Sequence, residues 1–536
     1  VSELLPDWRI LSLKQAIGQL IVVRASGFLF DRQIRYPDWE APAAKLKYWL
    51  QHLNLGGVIL LGGSAAEISI KTQQLQNWAT TPLFICADIE EGVGQRFAGA
   101  TCFPPPMALS AIYAQNPNLA QEYARQMGAI TAAEAKAIGI NWLLAPVVDV
   151  NNNPDNPVIN IRAFGDRPDI VSDLIASFIV GAQSHPILTT AKHFPGHGDT
   201  SIDSHLDLPL INHSASRLTE IELIPFQRAI AAGVDSIMSA HLSIPAWDRD
   251  YPATLSYQII TEQLRQNLGF SGLVVTDALI MGGIVKYGSP EEIAVMAIAA
   301  GTDILLMPQD PEVAIAAIEQ AIQEGRLSED RIWQSLDRIH QAKQNISQST
   351  PSSSFIEQLD RPEAKATVAG MLRESMQTGG VLPLSVENSS QDLTTLIVVD
   401  DLLNCPYLDI SAPAVAIPKK LGYQVQLIDR QYLCLNTSSP RSVLLQVFLR
   451  SAPFRGIAGL SDRDREFYQQ LIASDLLQGL ILYGSPYILE WFRRVIPADL
   501  PWVYLFGQMP DAQAIAWETL FSSANKAKTK SKDFGF

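Results

Sequence analysis

The chain has 536 residues, 47% hydrophobic and 18% charged, with a formal net charge of −15. That length exceeds one ordinary domain and buries sizeable cores. The acidic balance, with a pI of about 5.0, argues against a nucleic-acid or anionic-membrane surface, and no run reaches 18 apolar residues, so no transmembrane helix is expected.

Residues 1–345 alternate short apolar runs with longer amphipathic stretches. The runs are Leu20 to Val23, Gly57 to Leu61, Leu83 to Ala87, Ile140 to Ala145, Ile187 to Ala191, Asp235 to Ser239, Leu273 to Thr276 and Asp303 to Met307. They are mostly continuous rather than alternating, as strands buried on both faces are. Helical patterns lie between several of them, as at Leu119 to Ile138, Thr219 to Ala232 and Pro290 to Ala300. The gap between the third and fourth runs has room for loops and an extra helix. Eight strands with helical crossovers predict a (β/α)8 TIM-type barrel over 1–345. Ser347 to Ser354, rich in Ser and interrupted by Pro351, predicts a linker, bounded here as 346–362. A second series follows at Thr395 to Val399, Gln424 to Ile428, Val443 to Phe448, Gly479 to Tyr483 and Trp502 to Phe506. With helical segments such as Asp464 to Ala473, it predicts a smaller α/β sandwich domain over 363–524. Residues 525–536, with Lys526, Lys528, Lys530 and Lys532, read as a disordered basic tail. None of the four cysteines (Cys86, Cys102, Cys405 and Cys434) stands in a CxxC pair. They favour a reducing, cytoplasmic compartment over a disulfide scaffold. A start at Val1 leaves room for a removed signal or lipoprotein leader. Nothing in the pattern sets an oligomeric state.

The polar residues fall in a pattern of their own. Active sites of such barrels form just past the C-terminal ends of the strands. Asp88 follows the third run, Asp149 and Arg162 the fourth, Lys192 and His193 the fifth, His241 the sixth and Asp277 the seventh. Each alone reads as a loop or capping residue; together they point at one mouth. Asp277 sits between Leu273-Val274-Val275-Thr276 and Ala278-Leu279-Ile280-Met281, where a carboxylate needs a reason. It is either a helix cap or a rigidly held nucleophile.

The densest stretch runs from Lys192 to His205 and holds three of the chain's eight histidines, two aspartates and a lysine. His193 and His197 have the i, i+4 spacing of a helical zinc pair, but Pro195-Gly196 breaks a helix there. A loop metal site with Asp203 and His205 is the alternative. His197 is expected to hydrogen-bond within its loop. Asp203, two residues from His205, orients that imidazole and favours its protonated form, which makes a general acid and base near neutral pH. Ser204 has no Gly-x-Ser-x-Gly elbow around it.

These residues resemble glycoside hydrolase family 3, within it the β-N-acetylhexosaminidase branch. The resemblance covers most of the first 345 residues. It is carried by Lys192-His193-Phe194-Pro195-Gly196-His197-Gly198 with Asp203-Ser204-His205 and Pro209. Gly139-Ile140-Asn141 through Ala145-Pro146-Val147 and Asp149, Asn156 to Ile159, Arg162, Phe164-Gly165, Gly233-Val234-Asp235, Ala240-His241, Pro252 to Ser256 and Thr276-Asp277 add to it. The resemblance implies retaining hydrolysis of a β-N-acetylglucosaminide. It puts Asp277 at the nucleophile position, His205 at the acid/base position and Asp203 as its partner. It puts Asp88, Arg96, Arg162, Lys192 and His193 at sugar-binding positions. It implies a small saccharide partner, GlcNAc-containing and of the muropeptide kind, and no metal or organic cofactor. One departure stands out: where the family has Gly-Gly-Arg-Val, Gly92-Val93-Gly94 lacks the Arg, while Gln95-Arg96-Phe97 is kept. This bears on the loop's conformation and the leaving-group side.

Four other readings remain in view. A β-glucosidase or β-xylosidase of the same family takes its acid/base Glu from the second domain, against the Asp203-x-His205 pair here. A phosphorylase would use the same residues. A metal-dependent hydrolase would use His193, His197 and His205. A sugar-binding protein would have kept the fold and lost catalysis.

Overall fold

The computed structural model describes residues 8–204, 206–346, 354–384, 393–433, 442–450 and 458–521. The proposed acid/base His205, Cys434, linker residues 347–353 and the basic tail therefore lie outside the described residues. The chain divides into two compact units, Val1–Thr367 and Val368–Phe536.

In the first unit, parallel strands form two runs of ladder among the described residues. One has the order β4 (Trp142–Leu143), β3 (Phe84–Ala87), β2 (Gly57–Leu61), β1 (Ile21–Ser26), β8 (Leu305–Leu306). The other is β5 (Thr190–Phe194), β6 (Ser236–Ser239), β7 (Leu273–Thr276). Single parallel bridges, Trp142 to Leu188 and Val275 to Ile304, join the two runs into one ring. The crossovers are helical, among them α3 (Ala65–Trp78), α5 (Pro117–Ala137), α6 (Pro168–Ala182), α9 (Pro290–Ala300) and α10 (Pro311–Gln323). The ring is closed behind by α11 (Glu329–Asn345).

Local sequence sets where these helices begin. Ser64 and Glu67 form a reciprocal capping box at α3. Asn116, Ser289 and Asp310 cap α5, α9 and α10, each followed by a proline at the first helical position, where its missing N–H costs nothing. The helix expected over Thr219 to Ala232 is instead two, α7 (Ala215–Glu220) and α8 (Leu223–Ala231). Pro225 explains the break: it has no N–H to give the Ile221 carbonyl, and its ring would crowd that carbonyl. The expected extra helix after β3 is present as α4 (Met107–Tyr113), ahead of α5.

The fifth strand also differs from its expected bounds. The apolar run Ile187 to Ala191 marks its buried entry, but the ladder with β6 runs from Thr190 to Phe194. Lys192 and His193 thus lie within β5 rather than beyond it.

The second unit is a six-stranded sheet in the order β11 (Gln424–Asp429), β10 (Leu393–Val399), β12 (Ser442–Leu449), β13 (Leu477–Gly484), β14 (Trp502–Leu505), β9 (Gln377–Gly379). The strands are parallel except β9, an antiparallel edge with no apolar run to announce it. Helices such as α14 (Asp462–Ala473) and α16 (Pro510–Phe521) belong to the same unit.

Candidate active site

The C-terminal ends of the ring strands carry a buried charge cluster. Lys192 enters it from β5, 1% exposed. Its Nζ donates to Asp88 Oδ1 at 2.8 Å and lies 2.6 Å from Glu90 Oε1. Arg162 closes on the same Glu90 with both arms of its guanidinium, Nε to Oε2 at 2.8 Å and Nη2 to Oε1 at 2.7 Å. Its remaining arm donates to the Val158 carbonyl. Burial alone would disfavour the charges of Glu90 and Lys192, but their partners hold both charged. Burial works to raise the Glu90 carboxyl; Arg162 and Lys192 overcome it and hold that carboxyl well below the usual range. Burial works to lower the Lys192 ammonium; Asp88 and Glu90 outweigh it, and its pKa rises. Two cations meet two carboxylates, and Asp88 is the more exposed acid, with 28% of its side chain accessible against 3% for Glu90. Arg96 is exposed and holds the loop by donating from Nε to the Asp88 carbonyl at 3.0 Å.

Val93, at the departure from the family pattern, is fully buried. The loop around it is fastened by Gln95, whose Oε1 accepts the backbone N–H groups of Glu90 and Glu91. Gly92 has φ +84°, and a side chain on it would run into the Thr101 carbonyl.

A second network hangs from Asp149, a buried carboxylate just past β4. It accepts from the backbone N–H of His193 and of His197, and its Oδ2 is 2.7 Å from His193 Nδ1. Nδ1 is therefore the donor in that bond. Asn156 braces the following turn: its amide donates to the His197 and Gly198 carbonyls. His197 has Thr200 Oγ1 at 2.9 Å from Nδ1 and Ser204 Oγ at 2.9 Å from Nε2. Burial pushes its pKa down to about 4. His197 thus hydrogen-bonds within its loop, as expected. With both its ring nitrogens engaged, His197 offers no free nitrogen to the three-histidine metal reading. Among the described residues no group of three His, Cys, Asp or Glu is arranged to hold a metal ion.

Asp277 stands one residue past β7, half-buried, its N–H on the Ser239 carbonyl and its Oδ1 accepting from the Ala278 N–H. Its charge acts on His197, which places it beside the same network. Asp203 is 2% exposed, and its carbonyl accepts the N–H groups of Leu206 and Asp207. His241 is fully buried, with Nε2 3.1 Å from the Ala278 carbonyl and Nδ1 2.8 Å from Thr254 Oγ1. It buttresses the Asp277 turn from β6.

Of the residues singled out from sequence, Asp88, Arg96, Arg162 and Lys192 meet in the first network, and His193 in the second with Asp203's loop. Glu90, the acid that joins Lys192 to Arg162, is not among the candidates read from sequence, and Asp149 is among them only as one of the polar groups at the mouth, with no binding or catalytic role. The signal for Glu90 was present: Asp88, Glu90 and Glu91 put three acids in four residues after a strand.

Residues 12–342 match the model of the glycosyl hydrolase family 3 N-terminal domain, and residues 386–522 that of the bacterial glycosyl hydrolase family 3 C-terminal domain. A β-hexosaminidase A from Pseudoalteromonas piscicida is 33% identical over 415 residues, which cover 70% of this chain and 69% of that protein. A β-N-acetylglucosaminidase/β-glucosidase from Cellulomonas fimi is 30% identical over 377 residues, 67% of this chain and 65% of that one. The structure of a glycoside hydrolase family 3 β-N-acetylglucosaminidase from Paenibacillus sp. str. FPU-7 superposes with a TM-score of 0.77 at 28% identity, over 96% of this chain and 97% of its own.

Proposed function

This chain belongs to glycosyl hydrolase family 3 and is an enzyme of the glycoside hydrolase type; on that premise we propose that it is a retaining β-N-acetylglucosaminidase. It removes nonreducing-end GlcNAc from small saccharides of the peptidoglycan-fragment kind. The observation that carries this reading is the ring order. Asp88 after β3, Lys192 and His193 in β5 and Asp277 after β7 stand at the same end of one closed ring. The names of the β-hexosaminidase and β-N-acetylglucosaminidase relatives support the choice of sugar.

In this reading Asp277 attacks the anomeric carbon as the glycosidic C–O bond breaks. His205, protonated and steered by Asp203, gives its proton to the leaving oxygen. Neutral His205 then takes a proton from water, which attacks the anomeric carbon and displaces Asp277, so two inversions retain the configuration. Asp88 accepts from sugar hydroxyls, Lys192 donates to them, and His193 keeps Nε2 for the sugar because Asp149 holds Nδ1. Glu90 and Arg162 fix Lys192 and cost no reorganisation when the sugar arrives.

The test is product analysis on muropeptide fragments, with nitrophenyl β-GlcNAc and β-Glc compared. Release of β-GlcNAc first, with preference for the acetamido sugar, is expected. Faster turnover of β-Glc makes it a glucosidase, and sugar 1-phosphate formed on adding phosphate makes it a phosphorylase. Asp277→Asn should lower kcat on the order of 10³-fold or more while sugar binding survives. Near-normal turnover in that variant would remove Asp277 from the nucleophile role.

A further inference from the structure

We propose that Ser204 is a positioning residue for the acid/base pair, anchored through its hydroxyl to His197 and through its carbonyl to Gly283. The inference rests on the acid/base reading of Asp203 and His205 given above. Of three consecutive residues, the outer two carry the proton chemistry in that reading, and the middle one carries the anchors.

The first anchor lies inward. Ser204 is 1% exposed, and its Oγ is 2.9 Å from His197 Nε2. His197 is itself immobile: Thr200 engages its other nitrogen, Asn156 its carbonyl and Asp149 its N–H. Asp149 also holds the His193 ring. One carboxylate therefore sets both the sugar-binding edge of β5 and the post on which Ser204 hangs.

The second anchor comes from the loop that Asp277 opens after β7. Gly283 lies six positions after Asp277 in the chain. Its N–H donates to the Ser204 carbonyl at 3.3 Å. A Cβ on Gly283 would stand 3.0 Å from the Ser204 oxygen and 3.1 Å from the Asp207 oxygen. Gly283 has no left-handed backbone angle, so glycine is needed there for close approach alone. Ser204 and Asp207 are thus both seated on the loop that begins at the nucleophile. Its far end carries a weaker, exposed tie, Lys286 Nζ to Asp207 Oδ1 at 3.4 Å.

In this proposal Ser204 holds the loop on which the proton donor rides, as β7 holds Asp277. A general acid must meet the leaving oxygen within hydrogen-bond reach, and a loop alone does not hold it there. Ser204 ties the loop on two sides, to His197 and to Gly283.

The two variants that test it are Ser204→Ala, which removes one hydroxyl, and Gly283→Ala, which lifts the loop while keeping an ordinary backbone angle. Each is assayed with an alkyl β-GlcNAc, whose leaving group needs a proton, and with dinitrophenyl β-GlcNAc, whose leaving group does not. For the alkyl substrate kcat/KM should fall on the order of 10- to 100-fold, and for the dinitrophenyl substrate by no more than about threefold. Asp203→Asn is run beside them. Should it show this split while Ser204→Ala and Gly283→Ala lose both substrates equally or neither, the anchoring role is overturned and the acid/base reading stands. Should Asp203→Asn show no split, the acid/base reading fails and takes this inference with it. Thermal melts of all variants separate misfolding from mispositioning.

Discussion

Glu90 balances the charges at the mouth of the ring. It is 3% exposed and receives Lys192 and both arms of Arg162. Glu90→Gln keeps the shape and removes the charge. Lys192 then answers to burial and to Asp88 alone, so its pKa falls. If charged Lys192 binds the sugar, the alkaline limb of kcat/KM moves to lower pH, with an overall loss on the order of 10- to 100-fold. A pH–rate profile checks this; an alkaline limb in its wild-type place would show that Glu90 does not hold Lys192 charged. At this scale the sequence was legible where a polar residue interrupts an apolar run, as Asp88, Lys192 and Asp277 do. It was less legible for Glu90 and Asp149, whose importance lies in partners 72 and 44 residues away. Spacing along the chain does not carry such pairings. His197 was legible for a negative reason: Pro195 and Gly196 forbid the helix that a zinc pair requires.

Among the elements, the strand ends divide the carboxylates into two kinds. Asp88, Glu90, Asp149 and Asp277 follow strands. Asp235 and Asp303 precede them: Asp235 accepts from Thr189 before β5, and Asp303 from the Val274 N–H in β7. At the N-terminal face of such a ring, polar groups serve stability. Asp303 is fully buried and bonds Arg265, Arg338 and Ser335, with Arg331 at 3.5 Å. Burial works to raise its carboxyl, and the three guanidinium groups overcome it, so its pKa lies below the ordinary aspartate range. A depressed folded pKa gives stability that is present above pH about 4 and is lost as pH falls through the folded value. Asp303→Asn leaves three arginines against a neutral amide and should cost about 3–5 kcal/mol, read as a lower denaturation midpoint. The fraction that remains folded should keep its kcat/KM. A matching loss of kcat/KM would move Asp303 from the scaffold into the site. The strands themselves were readable because both faces are buried, which gives continuous apolar runs. The end of β5 differs from its expected bound because Lys192 and His193, at the mouth, are polar and break the apolar run. β9 was missed because a three-residue edge strand needs no apolar run.

On the scale of the whole barrel unit, one buried lysine ties the approach to the first strand to a helix that follows the last. Lys343, in the last turn of α11, donates to Gln19 Oε1 at 2.8 Å, and Gln19 stands just before β1. Gln19 in turn donates to the Asn54 carbonyl and to Thr81 Oγ1, so one side chain links the approaches to β1, β2 and β3. The Lys343 ammonium also lies 4.9 Å from the centre of the Phe84 ring. No carboxylate faces it among the described residues, and burial lowers its pKa from 10.5 to about 7. The repeat of apolar runs foretold a closed ring, yet this closure was illegible: a lone lysine in a polar helix reads as solvent-facing. It has a consequence for the stability of the unit. Between pH 7 and 10.5 the unfolded chain binds a proton at Lys343 that the folded chain has released, so stability rises with pH across that window. Below pH 7 the charge is forced into the folded interior, and the penalty is at its full size. Lys343→Met keeps the length of the stem and removes the titration. From pH 7 to pH 10 the wild type should therefore gain roughly 3 kcal/mol relative to Lys343→Met. Chemical denaturation of both proteins at the two pH values measures that difference. Parallel pH slopes would mean that Lys343 keeps its charge in the fold, held by Gln19 and the Phe84 ring against the cost of burial.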